Sequence, residues 1–345
     1  MSNRLKGSLF CISIVAIFLI TSCGGRNKVG NTNKSGKDTL VVLLDDLSKK
    51  IADHPSDPEL LQHRAKYYLM DHQEKLAFTD ISKAILNDPN KSSLYITLSD
   101  VYLGMGKPDN CNEALQKALA LDPRSNPALI RLSKLSLITK DYKATFDYIK
   151  KALEVEPHNP QAYFTRALAF LEKGDTVYAV DDLKRTIDQD QGFYDAYVEL
   201  GELYSRRKDP VTADYLKSAI RIKPDSKEAM YMLGMFYQEN ERYQEALDTY
   251  AKLSKVDSTF KDTYYNSGYI YLVYLHEFKK AADFFSNALK YDPGYIEAMF
   301  NRGYSYELAG DYQKAAKDYK HVLDLRPNYP KAIDGLNRVD KLVGK

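Results

Sequence analysis

SSLYITLSDVYLGMGKPDNCNEALQKALALDPRS, residues 92–125, decides the fold. Leu94, Tyr95, Leu98, Val101, Tyr102 and Leu103 recur at spacings of three and four, and so do Ala114, Leu115, Ala118 and Leu119. That spacing lines side chains along one face of a helix. Between the two stretches lies Gly106-Lys107-Pro108, which is turn chemistry. The segment therefore predicts a hairpin of two helices, closed by Asp122-Pro123.

The same pattern of large and small residues returns eight times between Pro58 and Tyr329, about every 34 residues. The repeats run 58–91, 92–125, 126–159, 160–193, 194–226, 227–260, 261–295 and 296–329. Asp88-Pro89, Asp122-Pro123, Glu156-Pro157, Lys223-Pro224, Asp292-Pro293 and Arg326-Pro327 close six of them; repeats 4 and 6 keep only the Asp, at Asp190 and Asp257. The first half of each repeat carries one small residue: Ala65, Ser99, Ser133, Ala167, Gly201, Gly234, Gly268 and Gly303. Three residues later comes a bulky one, from Tyr68 to Tyr306, except that repeat 3 has Ser136. A second set of small residues includes Ala77, Cys111, Thr145, Thr212, Ala281 and Ala315. Small residues let two helices approach, so a bulkier side chain at Gly268 should overpack the crossing. The fifth repeat is one residue short at Arg206–Pro210 and the seventh one residue long near Tyr274–Phe278; both changes fall where two helices join.

These joint small and bulky positions resemble the tetratricopeptide repeat. The resemblance implies an all-α, right-handed α-solenoid of about eight helix-turn-helix repeats. Such a stack offers an extended binding surface rather than a buried catalytic pocket. Each end needs a face that water tolerates. Pro330–Val343 reads as the closing helix, with a stripe of Ala332, Ile333, Leu336, Val339 and Leu342. Residues 38–57 read as an N-terminal cap, the second half of a degenerate repeat, with Leu40, Leu43, Leu44, Leu47 and Ile51 on its apolar side. Most of the 28 tyrosines are then scaffold, with hydroxyls kept at helix edges.

Residues 1–22 are an address rather than fold. Arg4 and Lys6 precede an apolar run from Leu9 to Ile20, which is too short for the roughly 20 residues of a membrane span and has the form of a secretory signal. Ile20-Thr21-Ser22-Cys23 resembles the lipobox of bacterial lipoproteins. That resemblance implies cleavage before Cys23, a covalent lipid on its thiol and acylation of the new amine. Gly24, rather than Asp, follows the cysteine. The same family's sorting rule then implies an outer-membrane lipoprotein; the face is left open by that rule, and the lack of an acidic cluster after Cys23, of the kind seen in some surface-exported lipoproteins, favours the periplasmic side. Residues 23–37 carry Arg26, Lys28, Lys34 and Lys37 with no acid, and read as a flexible tether with a reach of roughly 20 Å. Cys11 leaves with the signal, so Cys111 remains alone and no intramolecular disulfide is expected. In its slot, taken by Ala in sister repeats, it reads as a small buried apolar residue.

The processed chain holds 47 basic and 47 acidic side chains, a balance that argues against a nucleic-acid partner. His54, His63 and His72 are nine residues apart, which is no metal-ligand spacing, and the chain has no Walker loop, GxSxG, GxGxxG or CxxC. Acid pairs such as Asp45-Asp46 and Asp181-Asp182 read as solvated helix faces. No enzyme, cofactor or metal is expected.

In the tetratricopeptide family the first helix of each repeat lines the concave surface. The resemblance implies that Phe164, Leu168, Val198, Tyr231, Met235, Tyr265, Tyr269, Phe300 and Tyr304 face a partner in repeats 4 to 8. Glu199, Glu202, Glu228, Asp262 and Glu297 lie beside them; repeats 1 to 3 offer His63, Lys66, Arg131 and Lys134 instead. Asn266 and Asn301 take a position where peptide-binding members hold a ligand's main chain, an amide being both donor and acceptor. Aromatic residues and methionine with acidic surroundings suit a peptide with apolar anchors and basic flanks. The family's carboxylate clamp is not reproduced in any three adjacent repeats. The expected function is a lipid-anchored adaptor for another envelope protein or peptide, in pilus or secretion assembly or in protein quality control, with self-association open. The alternative is a glycan or small-ligand binder that stacks sugar rings on the tyrosines.

Overall fold

The structure, a computed structural model, describes residues 36–343. The signal segment, Cys23 and the tether up to residue 35 lie outside these residues. Among the described residues there are eighteen helices and no strands. The first helices of the eight repeats are α2 (Pro58–Met70), α4 (Ser92–Gly104), α6 (Asn126–Ile138), α8 (Pro160–Glu172), α10 (Tyr194–Ser205), α12 (Lys227–Glu239), α14 (Lys261–Val273) and α16 (Ile296–Leu308). Their second helices are α3 (Glu74–Asn87), α5 (Pro108–Leu121), α7 (Tyr142–Val155), α9 (Thr176–Gln189), α11 (Thr212–Ile222), α13 (Tyr243–Val256), α15 (Phe278–Tyr291) and α17 (Tyr312–Leu325). Flanking them are α1 (Gly36–Asp53) and α18 (Pro330–Val343). Helix α1 thus begins inside the segment expected to be tether. No described helix is long and apolar enough to cross a membrane.

Local chemistry sets the ends of these helices. Asp57, Asn159 and Ser226 cap first helices by accepting from Glu59, Ala162 and Ala229 backbone N–H groups, while Asp141 and Asp311 cap second helices. The closing prolines follow the C-cap residues Asp88, Asp122, Glu156, Lys223, Asp292 and Arg326, where a helix cannot continue. Every hairpin turn contains one residue with positive φ: His72, Gly106, Lys140, Gly174, Lys208, Glu241, His276 and Gly310. Only three of these are glycine, so the other five hold a left-handed backbone at some steric cost. The residue missing from repeat 5 is lost between Lys208 and α11, and the extra one in repeat 7 lengthens the turn before His276.

The chain divides into two compact units, one ending at Gln189 and the other beginning at Asp190. Within each, helices of one hairpin pack on each other and on the next hairpin, and first helices touch first helices, as α6 touches α8 and α14 touches α16. The core is a series of clusters rather than one mass. In the N-terminal unit, Leu61, Ala65, Ala77, Ile81 and Leu94 form one, and Cys111, Leu115, Ala118 and Leu132 another. In the C-terminal unit Phe285, Ala298, Tyr319, Val322 and Val339 lie in the largest. Each unit is an all-α helical-repeat solenoid segment.

One crossing rule recurs. The small residue of a first helix lies fifteen to seventeen positions before a large one on the second: Gly201 before Leu216, Gly234 before Tyr250, Gly268 before Phe285 and Gly303 before Tyr319. A Cβ at these glycines would meet the paired side chain at 2.5, 2.4, 3.0 and 3.1 Å respectively, so something must shift at Gly201 and Gly234, while the neighbour need give only slightly at Gly268 and Gly303. In repeats 1 and 4 the pairs are Ala65 with Ile81 and Ala167 with Leu183, all fully buried. Wherever the partner is an aromatic ring the small residue is glycine, and Gly201 opposite Leu216 is the one of these glycines with an aliphatic partner.

Arginine and aspartate pair across the same hairpins, sixteen positions apart. Arg64 donates to Asp80, Arg166 to Asp182 and Arg302 to Asp318, each through two nitrogens at 2.7–2.8 Å. This corrects the expectation for Asp181-Asp182. Asp181 is exposed and pairs with Arg185 on its own helix, but Asp182 is buried. Asp45 and Asp46 are exposed, beside Lys49 and Lys50. Arg302 also donates to Ser286 of the preceding second helix at 3.3 Å, and Arg64 to Ser48 of α1 at 3.1 Å. Helix α1 therefore contributes to repeat 1 as a second helix contributes to its successor. Its Leu47 and Ile51 are buried, whereas Leu43 of the expected stripe is exposed. In α18, Ala332 and Val339 are buried, while Ile333 and Leu342 are exposed. Cys111 is buried, and burial pushes its thiol up to about 12, so the sulfur stays protonated.

Candidate functional site

The residues expected to meet a partner separate into two groups. Phe164 and Leu168 belong to the N-terminal unit; the other nine belong to the C-terminal unit. Phe164, Val198 and Asn266 are 1%, 8% and 8% exposed, so in this conformation they serve packing and not an open surface. Leu168, Tyr231, Met235, Tyr265, Tyr269, Phe300, Asn301 and Tyr304 are half-buried. In the N-terminal unit the expected basic stretch is largely spent internally. Arg131 holds Asp100 through two bonds of 2.7 and 2.9 Å, and Lys134 donates to Gln161, which leaves His63 and Lys66 exposed.

The first-helix face of repeats 6 to 8 is built on a repeated aromatic pair. Tyr231 packs on Phe260 at 5.5 Å between ring centroids, Tyr265 on Tyr295 at 4.9 Å, and Phe300 on Tyr329 at 5.5 Å. The second member of each pair is the last residue of its repeat, just before the next first helix. Sequence reading missed these residues, although an aromatic there in repeats 4, 6, 7 and 8, in place of the serine or asparagine of repeats 2, 3 and 5, was a visible signal. Tyr265 also lies 6.5 Å from Tyr269, and Tyr269 lies edge-on to Tyr274, which stacks on Tyr243 at 4.2 Å. Burial pushes the Tyr265 phenol up to about 12, so its hydroxyl remains a neutral donor and acceptor.

The two asparagines are tied into this layer. The amide nitrogen of Asn266 reaches the hydroxyls of Tyr250 (3.4 Å) and Tyr231 (3.5 Å), and that of Asn301 donates to Tyr265 at 3.2 Å. Asn301 is the more open of the two. Other tyrosines pin loops: Tyr95, Tyr163 and Tyr264 each donate to a backbone carbonyl six residues earlier.

Acidic residues lie along the same face in repeats 5 and 6. Burial, then the carboxylates of Glu202, Glu228 and Asp195, push Glu199 up to about 7. Arg206 offsets part of this, but it is held by Glu202 at 2.6 Å. A carboxyl bound to its proton more tightly when folded costs stability as pH rises from about 4.5, and the cost is complete above about 7. Glu199→Gln should therefore stabilise the chain by roughly 2 kcal/mol at pH 8, after allowance for solvent screening, and by almost nothing near pH 4.5. Urea unfolding at the two pH values checks this; a gain that does not grow with pH contradicts it.

Three family models, each described as tetratricopeptide repeat, match residues 92–125, 228–257 and 296–329. Among solved structures, the C-terminal part of a TPR repeat-containing protein from Cytophaga hutchinsonii is 18% identical, with a TM-score of 0.50 over 79% of this chain and 98% of that one. The MamA protein is 22% identical (TM-score 0.42, 49% of this chain, 92% of that one). The APC/C hetero-tetramer Cut9–Hcn1 is 17% identical (TM-score 0.45, 89% and 60%). The hairpins, their crossing rule and the matched repeats define the class. The chain carries tetratricopeptide repeats, a repeat type that suggests a protein-interaction scaffold.

Proposed function

We propose that the chain is a lipid-anchored scaffold of the bacterial envelope that holds a partner polypeptide on the first-helix face of repeats 5 to 8. The observation that carries this reading is the half-buried layer of Tyr231, Tyr265, Tyr269, Phe300 and Tyr304, where burial and then the nearby carboxylate of Asp262 push the Tyr231 phenol up, and burial and then that of Glu297 the Tyr265 phenol. Apolar rings of this kind accept aliphatic or aromatic anchors, and carboxylates beside them favour lysine or arginine. The rings pack on one another, so they offer edges and hydroxyls more than free faces, which suits a peptide better than a stacked sugar. The membrane part of the proposal rests on Ile20-Thr21-Ser22-Cys23 and the basic tether. Pilus or secretion assembly and protein quality control are the settings that suit such an adaptor.

One affinity-purification experiment on envelope fractions tests both parts. Tyr265→Ala combined with Tyr304→Ala should lose the partner protein while circular dichroism still reports a helical fold. Recovery of the same partners by the folded double variant rejects the face. Cys23→Ala should disappear from the outer-membrane fraction, and its continued recovery there rejects the anchor. Titration with cell-wall fragments distinguishes the glycan alternative, which requires saturable binding lost in the same double variant.

A further inference from the structure

A second candidate site lies in the N-terminal unit, between two second helices and over the first helix that joins them. A cavity of about 720 Å³ opens between α7 and α9, with α8 beneath it. Three rings line one wall: Phe146 and Phe170 are 5.0 Å apart, and Phe170 and Tyr178 5.2 Å. Tyr178 is 63% exposed and the neighbouring Val177 75%, so α9 begins with apolar surface facing solvent. The position of Tyr178 holds Leu76, Asn110 and Ala144 in repeats 1 to 3, and Glu245, Lys280 and Lys314 in repeats 6 to 8. The third ring is thus a feature of repeat 4, not of the repeat pattern.

The charges around the rings favour a cation. Asp147 and Glu154 on α7 and Asp181 on α9 border the cavity. The bordering Arg166 is already committed to Asp182 at its base. Arg185 pairs with Asp181 at 2.9 Å, so the carboxylates that remain are Asp147 and Glu154 along α7, with Lys150 between them. Lys173 sits 5.5 Å from the centroid of Phe146, so that ring already carries a cation of the chain itself, and an incoming one would meet Phe170 and Tyr178. A planar guanidinium can stack on such rings while its edge reaches carboxylates.

We infer that this groove is a binding site for an arginine side chain of a partner polypeptide, received between the Phe146–Phe170–Tyr178 wall and the carboxylates of Asp147 and Glu154. It is independent of the first-helix face of repeats 5 to 8, since no residue is shared.

The test uses the full chain with ring-labelled Phe and Tyr, followed by NMR. The probes are N-acetylarginine amide, its uncharged isostere N-acetylcitrulline amide, and N-acetylleucine amide. The arginine probe should shift the Phe170 and Tyr178 ring signals saturably, at least tenfold more tightly than the other two. Tyr178→Ala, at an exposed position, and Asp147→Asn with Glu154→Gln should each weaken that binding fivefold or more without altering the melting curve. The Tyr265/Tyr304 double variant should bind the probe unchanged. Absence of saturable shifts overturns the site. Equal binding of citrulline or leucine, or full binding by the Tyr178 variant, overturns the assignment to an arginine held by these rings.

Discussion

Gly234→Leu is expected to destabilise the chain by about 3 kcal/mol, more than Gly268→Leu at the equivalent crossing. Even a single added carbon at Gly234 would lie 2.4 Å from Tyr250 Cε1, against 3.0 Å from Phe285 at Gly268. Tyr250 has little room to retreat. Its side chain is 1% exposed, and its hydroxyl donates to Gln238 at 3.0 Å. A leucine must therefore displace α12 from α13 or force the ring off its rotamer. Repeats 1 and 4 show that a Cβ can be accommodated where the facing residue is Ile81 or Leu183, although at Gly201 it would still lie 2.5 Å from Leu216. Adding Tyr250→Leu to Gly234→Ala should recover much of what each change alone loses. Denaturant midpoints followed by circular dichroism measure the whole series. An unchanged midpoint for Gly234→Leu, or the reverse ranking with Gly268→Leu, contradicts the crossing geometry.

The second large effect is expected at Asp318. This carboxylate is 4% exposed and receives two bonds from Arg302, which also reaches Ser286. One guanidinium thus ties α15, α16 and α17 together. Asp318→Asn keeps the volume but removes the counter-charge, leaving a half-buried cation without its main partner. The expected cost is about 3 kcal/mol, the lower end for breaking a buried pair because the arginine is partly solvated. Arg302→Met with Asp318→Leu should cost much less, since no charge is then stranded. Urea unfolding distinguishes the outcomes. A single variant as stable as wild type, or a double variant worse than the single, would show that the pair contributes little to joining these helices.

Both effects were only partly visible beforehand. The glycines were legible as small residues at a fixed place in a 34-residue pattern, because helix packing is local and repeats itself. The tightness at Gly234 was not, since it depends on which side chain arrives from sixteen residues away. Asp181 and Asp182 are adjacent acids on one helix, and nothing local separates them. One is buried because Arg166 projects from the neighbouring helix towards it. The candidate site shows the same limit. Tyr231, Tyr265 and Phe300 could be placed on the first-helix face, but Phe260, Tyr295 and Tyr329, the rings they pack on, come from the following loops. Likewise Phe164 and Leu168 share a helix and an expectation, yet Phe164 is enclosed and Leu168 is half-open. The left-handed turn residues divide in the same way. Gly106, Gly174 and Gly310 announce themselves, whereas Lys140, Lys208 and Glu241 take that backbone because the hairpin imposes it.

The sequence by itself determined the repeat length, the helix pairs, the closing helix from Pro330 to Val343 and the residues that keep helices close. These follow from periodicity and side-chain bulk, which act within about one hairpin. Only the tertiary structure decided which carboxylates are paired, which rings and amides remain open, and where second helices part to leave a cavity. Those outcomes depend on contacts between hairpins, where one neighbouring side chain determines whether a group meets water or protein.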